Sequence, residues 1–128
     1  MELRLVLTVD DFEQALAFYR DALGLSEREA WEAEGDEARI AILDAGRATL
    51  ELINEAQAAA IDDIEVGARV AGPVRVAFDV GDSGAVATRL VAAGAEQLAE
   101  LVVTPWNDRN VRLRAPDGMQ LTLFTVVD

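Results

Sequence analysis

Few side chains in this sequence are equipped for chemistry. It contains no histidine and no cysteine, which removes imidazole bases, thiol nucleophiles and disulfides, together with the commonest ligands for zinc, copper and iron. What remains is carboxylate and guanidinium chemistry. Glu51, Asp79 and Tyr19 are the conceivable proton-transfer groups, and Ser26 and Ser83 are the only serines, so no nucleophile-base-orienter triad can be assembled. Glu51 as a general base is pulled two ways, because burial raises a carboxyl pKa and neighbouring arginines lower it. Tyr19 falls on a helical stripe and reads as core, and Ser83 reads as a first-turn residue beside a helix cap at Asp82.

The charge balance narrows the partners. Lys and Arg total 11 against 24 Asp and Glu, a formal charge of −13. A field of that sign repels phosphate backbones and anionic membrane surfaces, which excludes nucleic acid and membrane as partners, and it draws in a cationic ligand. Its simpler role is to keep the protein soluble. The N-terminal MELRLVLTVDD lacks the basic start, apolar stretch and cleavage site of a secretory signal, so a cytoplasmic location is expected.

The elements that must position these groups follow from patterning. Leu3, Leu5, Leu7 and Val9 alternate with Arg4, Val6 and Thr8, a strand with two unlike faces. Asp11 with Gln14 fits a capping pair, Phe12, Ala15, Leu16, Tyr19 and Leu23 recur at helical spacing, and Gly24 supplies the stop, so a helix is expected over about 11–23. Strands follow at 25–31, 38–43 and 47–53, separated by turns at Gly35-Asp36 and Asp44-Ala45-Gly46. The alanine-rich stretch 56–64 predicts a short helical connector ending near Gly67, and Gly72-Pro73 breaks the chain. The pattern then restarts, with a strand at 74–80, a helix at 86–93 stopped by Gly94, and strands at about 98–104, 110–114 and 119–126.

The two halves are copies. Arg4 and Arg75 are separated by 71 positions, as are Glu51 and Thr122, while the helices differ by one residue in length, and so do the turns that precede the last strand of each half. A duplicated β-α-β-β-β unit can pack its helices on one side of its sheets and curve the other faces toward each other into a concave site. The expected architecture is a single α+β domain of two paired βαβββ modules (about 1–54 and 73–128, connector 55–72) whose curved mixed sheet forms a cup. Alternation places Arg4, Val6, Thr8, Thr49, Glu51, Ile53, Arg75, Ala77, Asp79, Thr122 and Phe124 on the cup face. Charged residues among apolar neighbours must be paired or solvated, so Glu51 is expected to bridge Arg4 and Arg75. Two guanidiniums and one carboxylate leave a positive surplus suited to a carboxylate or phenolate unless Asp79 also reaches in. Trp31 and Trp106 are candidate rim residues that could grip a flat ligand, packing being the simpler role of each. Arg109, Arg112 and Arg114 lie on or near the seventh strand, where alternate side chains face opposite ways, so that some can edge the cup, with the surface as the default assignment.

Val9-Asp10-Asp11-Phe12 leading to Phe18-Tyr19 and Leu23-Gly24, with Thr104-Pro105-Trp106 and the closing Arg114-Ala115-Pro116-Asp117-Gly118, resembles the glyoxalase/bleomycin-resistance/dioxygenase branch of the vicinal oxygen chelate superfamily over nearly the whole chain. In metal-dependent members the resemblance places one ligand on each module's first strand and one on each fourth strand, positions held here by Arg4, Arg75, Glu51 and Thr122. Only Glu51 is a competent ligand, and arginine has no lone pair to offer a cation. Neither a metal nor another cofactor is therefore expected, which puts metal-assisted isomerisation, dioxygenation and thiol transfer in doubt. The leading expectation is a metal-free homodimeric protein resembling bleomycin-resistance proteins, which binds and sequesters a small organic molecule, such as an antibiotic, through Arg4, Glu51, Arg75, Thr122, Asp79, Trp106 and Trp31. The alternatives are a glyoxalase-like lyase or isomerase with a degenerate site, and a structural or regulatory dimer whose cup is filled.

Overall fold

The computed structural model describes residues 1–32 and 37–127, so the expected Gly35-Asp36 turn lies outside the described residues. The first strand, β1 (Glu2–Thr8), leads to α1 (Phe12–Leu16), capped by the Asp11 carboxylate accepting from the Gln14 amide at 3.0 Å. The helical path continues as a π-helical turn, Ala17–Ala22, with the Leu23 N–H donating to the Phe18 carbonyl at 2.9 Å. This turn is how the first copy absorbs the one residue by which its helix exceeds that of the second, since a π turn lodges one extra residue without breaking the helix. Strands β2 (Glu27–Glu32), β3 (Arg39–Ala45) and β4 (Ala48–Ile53) complete the first module, and α2 (Glu55–Glu65) is the connector.

The second module runs β5 (Val74–Asp79), α3 (Ser83–Ala92, capped by Asp82), β6 (Glu96–Gln97), β7 (Val102–Val103), β8 (Arg109–Arg114) and β9 (Gln120–Thr125). The single strand expected at 98–104 is two short ones. Leu98 still donates to the Arg112 carbonyl, but the chain then bulges so that Leu101 drops into the core before pairing resumes at Val102 with Asn110.

The strands form one open mixed sheet ordered β2-β3-β4-β1-β5-β9-β8-β6, with β7 also on β8. The modules join edge to edge within the chain, through the antiparallel β1·β5 ladder from Glu2↔Asp79 to Leu7↔Val74. The repeat keeps its register between the first and last strands of each module: Val6 pairs with Glu51 in one and, 71 positions on, Ala77 pairs with Thr122 in the other.

On the convex side α1 packs on β4 around Phe12, Leu16, Leu43 and Leu52, while α3 packs on β8 and β9 around Val80, Ala87, Leu113 and Leu123. Each helix covers its own half, and the central seam is left open. Leu3 and Leu5, expected under helix, are 43% and 38% exposed. A third cluster, of Val6, Ile53, Ala58, Ala77 and Phe124, lies on the concave side beneath α2.

Candidate functional site: the inter-module cup

The concave face encloses a cavity of about 860 Å³. Of the residues that alternation assigns to it, Arg4, Val6, Glu51, Arg75, Ala77, Asp79, Thr122 and Phe124 line it, and so do Trp31 and Trp106. Thr8, Thr49 and Ile53 do not. Ile53 is covered by α2 at Ala58, and Thr49 is buried, accepting from Arg4 Nε at 3.0 Å.

The floor is ionic. Glu51 lies between two guanidiniums, with Arg4 Nη1 3.6 Å from Oε1 and Arg75 Nη2 3.9 Å from Oε2. Burial pushes the Glu51 carboxyl above its ordinary range, against the opposing pull of Arg75 and Arg4, and burial likewise lowers Arg75. Arg4 is oriented by Glu2 at 3.1 Å and by the Phe124 ring, 5.1 Å from its centroid. Arg75 donates through Nη1 to Thr122 Oγ1 at 2.8 Å.

Beyond Thr122 lies a group that sequence reasoning missed. Arg112, assigned to the surface, is 0% exposed. Its place on β8 opposite Thr122 turns it under α2, where Nη1 meets Asp62 at 2.8 Å and Nε meets Glu65 at 3.1 Å. Thr122 donates to Glu65 at 2.8 Å, and Asn110 Nδ2 does so at 3.0 Å. Burial raises Asp62, but the Ala71 and Val70 amides and Arg112 outweigh it and hold this carboxyl below its usual range. Asp62 and Glu65, three apart on α2, share the face that also carries Ile61. That carboxylate pair facing the regularly spaced Arg112 was the available signal. Arg109 and Arg114 are exposed, as assigned.

The mouth is acidic and aromatic. Trp31 on β2 and Trp106 in the Thr104–Asp108 turn are 53% and 48% exposed. The turn is closed by Thr104 N–H to the Asp108 carbonyl and Asp108 N–H to Thr104 Oγ1, with Asn107 in the left-handed region at φ 72°. Trp106 Nε1 donates to Asp108 at 3.0 Å. Partial burial raises the Asp108 carboxyl despite that bond, and Asp79 and Glu29 add same-sign charge. Among the described residues, the side-chain carboxylates of Glu29 and Asp79 have no ion-pair or hydrogen-bond partner. The lining holds six carboxylates and three guanidiniums, so the expected positive surplus is corrected: Asp79 reaches in, and Glu2, Glu29, Glu65 and Asp108 join it.

This geometry defines a two-module β-sheet cup with an ionic floor and an acidic aromatic mouth. Residues 3–123 match the family model of the Glyoxalase/Bleomycin resistance protein/Dioxygenase superfamily, and the chain belongs to that superfamily. Among solved structures it is similar to a hypothetical protein from Bacillus halodurans (17% identity, TM-score 0.70, covering 98% of this chain and 93% of that one). It is also similar to methylmalonyl-CoA epimerase from Mycobacterium tuberculosis (20%, 0.68, covering 98% and 87%). The Streptomyces coelicolor methylmalonyl-CoA epimerase in complex with 2-nitronate-propionyl-CoA is a third (22%, 0.67, covering 98% and 96%). No curated protein matches the chain.

The metal that many such folds hold does not fit here. Arg4, Glu51, Arg75 and Thr122 stand where the resemblance would place the four ligands, and two guanidiniums 3.6 and 3.9 Å from the one carboxylate would repel a divalent ion. Among the described residues no cluster of three or more Asp or Glu is arranged to hold a cation, and no helix is long and apolar enough to cross a membrane.

Proposed function

We propose that the protein binds a small organic molecule in the cup without a metal ion, as drug-sequestering members of its superfamily do, and that the ligand carries a cationic, hydrogen-bond-donating end at the mouth. The reading is carried by the set of acceptors left unanswered there. Glu29 and Asp79 lack a cation, and Asp108 receives only one indole N–H. An ammonium or guanidinium supplies both charge and donors. The tryptophan rings provide faces for it, and Val6, Ile42, Ile61 and Phe124 provide an apolar wall for the body of the ligand. A twofold pair of chains is part of the proposal, tested by sedimentation velocity.

Tryptophan fluorescence and calorimetric titration with a cationic glycopeptide and with an aromatic amine test the binding reading. Quenching is expected for the amine, with at least a tenfold loss when it is N-acetylated. Equal affinity for amine and amide, or no binding of either cation, overturns it.

A second reading, proton transfer of the isomerase or lyase kind with Glu51 as base, is favoured by one observation: a buried carboxyl, raised by burial, that faces the cavity. The epimerases among similar structures support it through fold alone. Deuterium incorporation at an acidic C–H of a bound carbonyl compound is expected in D2O, and its absence at saturating ligand ends this reading.

A further inference from the structure

The cup floor carries a recognition element that the cation at the mouth does not use. Arg4 is anchored through Nε to Thr49 and through Nη2 to Glu2, and Arg75 through Nη1 to Thr122. These anchors hold both guanidiniums back from Glu51. Arg4 Nη1 stops 3.6 Å from one carboxylate oxygen and Arg75 Nη2 stops 3.9 Å from the other, whereas a made charge-assisted bond spans about 2.7–2.9 Å. Among the described residues neither Glu51 oxygen accepts a hydrogen bond, and Arg4 Nη1 and Arg75 Nη2 donate none. All three side chains line the cavity, and those of Glu51 and Arg75 are only 9% and 7% exposed.

The floor thus presents donor, acceptor, donor in sequence, the two guanidiniums held by their anchors and the facing atoms of all three without a hydrogen bond. Its charge is closed, since Glu51, Glu2 and Asp44 balance Arg4, Arg75 and Arg28, so a ligand group bearing a full charge of either sign gains little there and carries its own desolvation penalty. An uncharged group with the reciprocal order, acceptor, donor, acceptor, satisfies all three positions at once.

We propose that Arg4, Glu51 and Arg75 form a subsite for an imide- or ureide-type edge, in which an N–H flanked by two carbonyl oxygens is set against the carboxylate and the two guanidiniums. This rests on the cup being a binding site, and it does not depend on the cation at the mouth.

The probes are uracil, 1-methyluracil, which keeps the N–H between its two carbonyls, and 3-methyluracil, which has lost it. Calorimetric or ligand-observed NMR titration of the unaltered protein is expected to give similar affinities for the first two and at least tenfold weaker binding of the third. In Glu51→Leu protein the difference between the methyl isomers is expected to vanish. Equal binding of both isomers by the unaltered protein, or no binding of any of the three, overturns the subsite. Because that comparison needs no variant, it stands even where Glu51→Leu does not fold. The amine titration at the mouth keeps its own outcome, so failure of one proposal is told apart from failure of the other.

Discussion

At the scale of the residue, the molecule turns on where its arginines end. Arg112 is buried between Asp62 and Glu65, and removing the cation leaves two carboxylates uncompensated in the interior. Arg112→Met is expected to destabilise the protein by about 3–5 kcal/mol, read by urea denaturation. Replacing Asp62 and Glu65 as well, by apolar residues of similar volume, is expected to recover much of that loss, because the desolvation of the whole group disappears with it. Glu51 gives a pH signature of the opposite kind to an ordinary paired carboxylate. Burial raises its folded pKa above the unfolded one, so its contribution to stability is fully present in acid and is lost as pH rises through the folded value. The stability of the unaltered protein relative to Glu51→Gln is therefore expected to become less favourable as pH rises from the ordinary glutamate range through the folded value. A difference that is flat with pH, or that grows in the other direction, contradicts the burial of this group. At the mouth, Asp108 also has a raised carboxyl, so the affinity for an organic amine is expected to fall on acidification, beginning above the ordinary aspartate range.

At the scale of the element, α2 is what makes the cup a closed site. Asn54 caps it, accepting from the Gln57 amide at 3.0 Å, and the same oxygen accepts from the Arg39 amide at 3.0 Å on β3. Asn54→Ala breaks both bonds, and a loss of about 1–2 kcal/mol is expected, seen in thermal melts together with faster amide exchange along α2. The repeat, the strand faces and both module caps were legible in sequence, because period-two alternation and the fixed 71-residue offset report local geometry directly. The path of α2 across the cup was not, since an alanine-rich connector carries no statement of which face it will cover. Arg112 was misread for the same reason. Alternation can assign a side chain to the concave side, but whether that side is solvent or a helix depends on the connector. The exposed seam at Leu3 and Leu5 escaped prediction because patterning marks an apolar row without saying how far the two helices spread over it.

At the scale of the whole molecule, the net charge of −13 and the acidic mouth act in the same sense. Association with a cation is expected to slow as salt rises, with a smaller effect on dissociation, which stopped-flow fluorescence of the rim tryptophans would resolve. The seam has a consequence of another kind. The halves are held together by a backbone ladder, and they fold onto each other because residues 66–73 bring β5 back beside β1. One Asp62 oxygen gathers the Arg69 side chain and the Val70 and Ala71 amides of that return, at 3.0, 2.7 and 2.9 Å. Without that clasp, β5 of a second chain satisfies the same ladder equally well. Asp62→Ala is expected to populate exchanged dimers, in which each cup is assembled from halves of two polypeptides, visible as a concentration-dependent species on gel filtration that dilution dissolves only slowly.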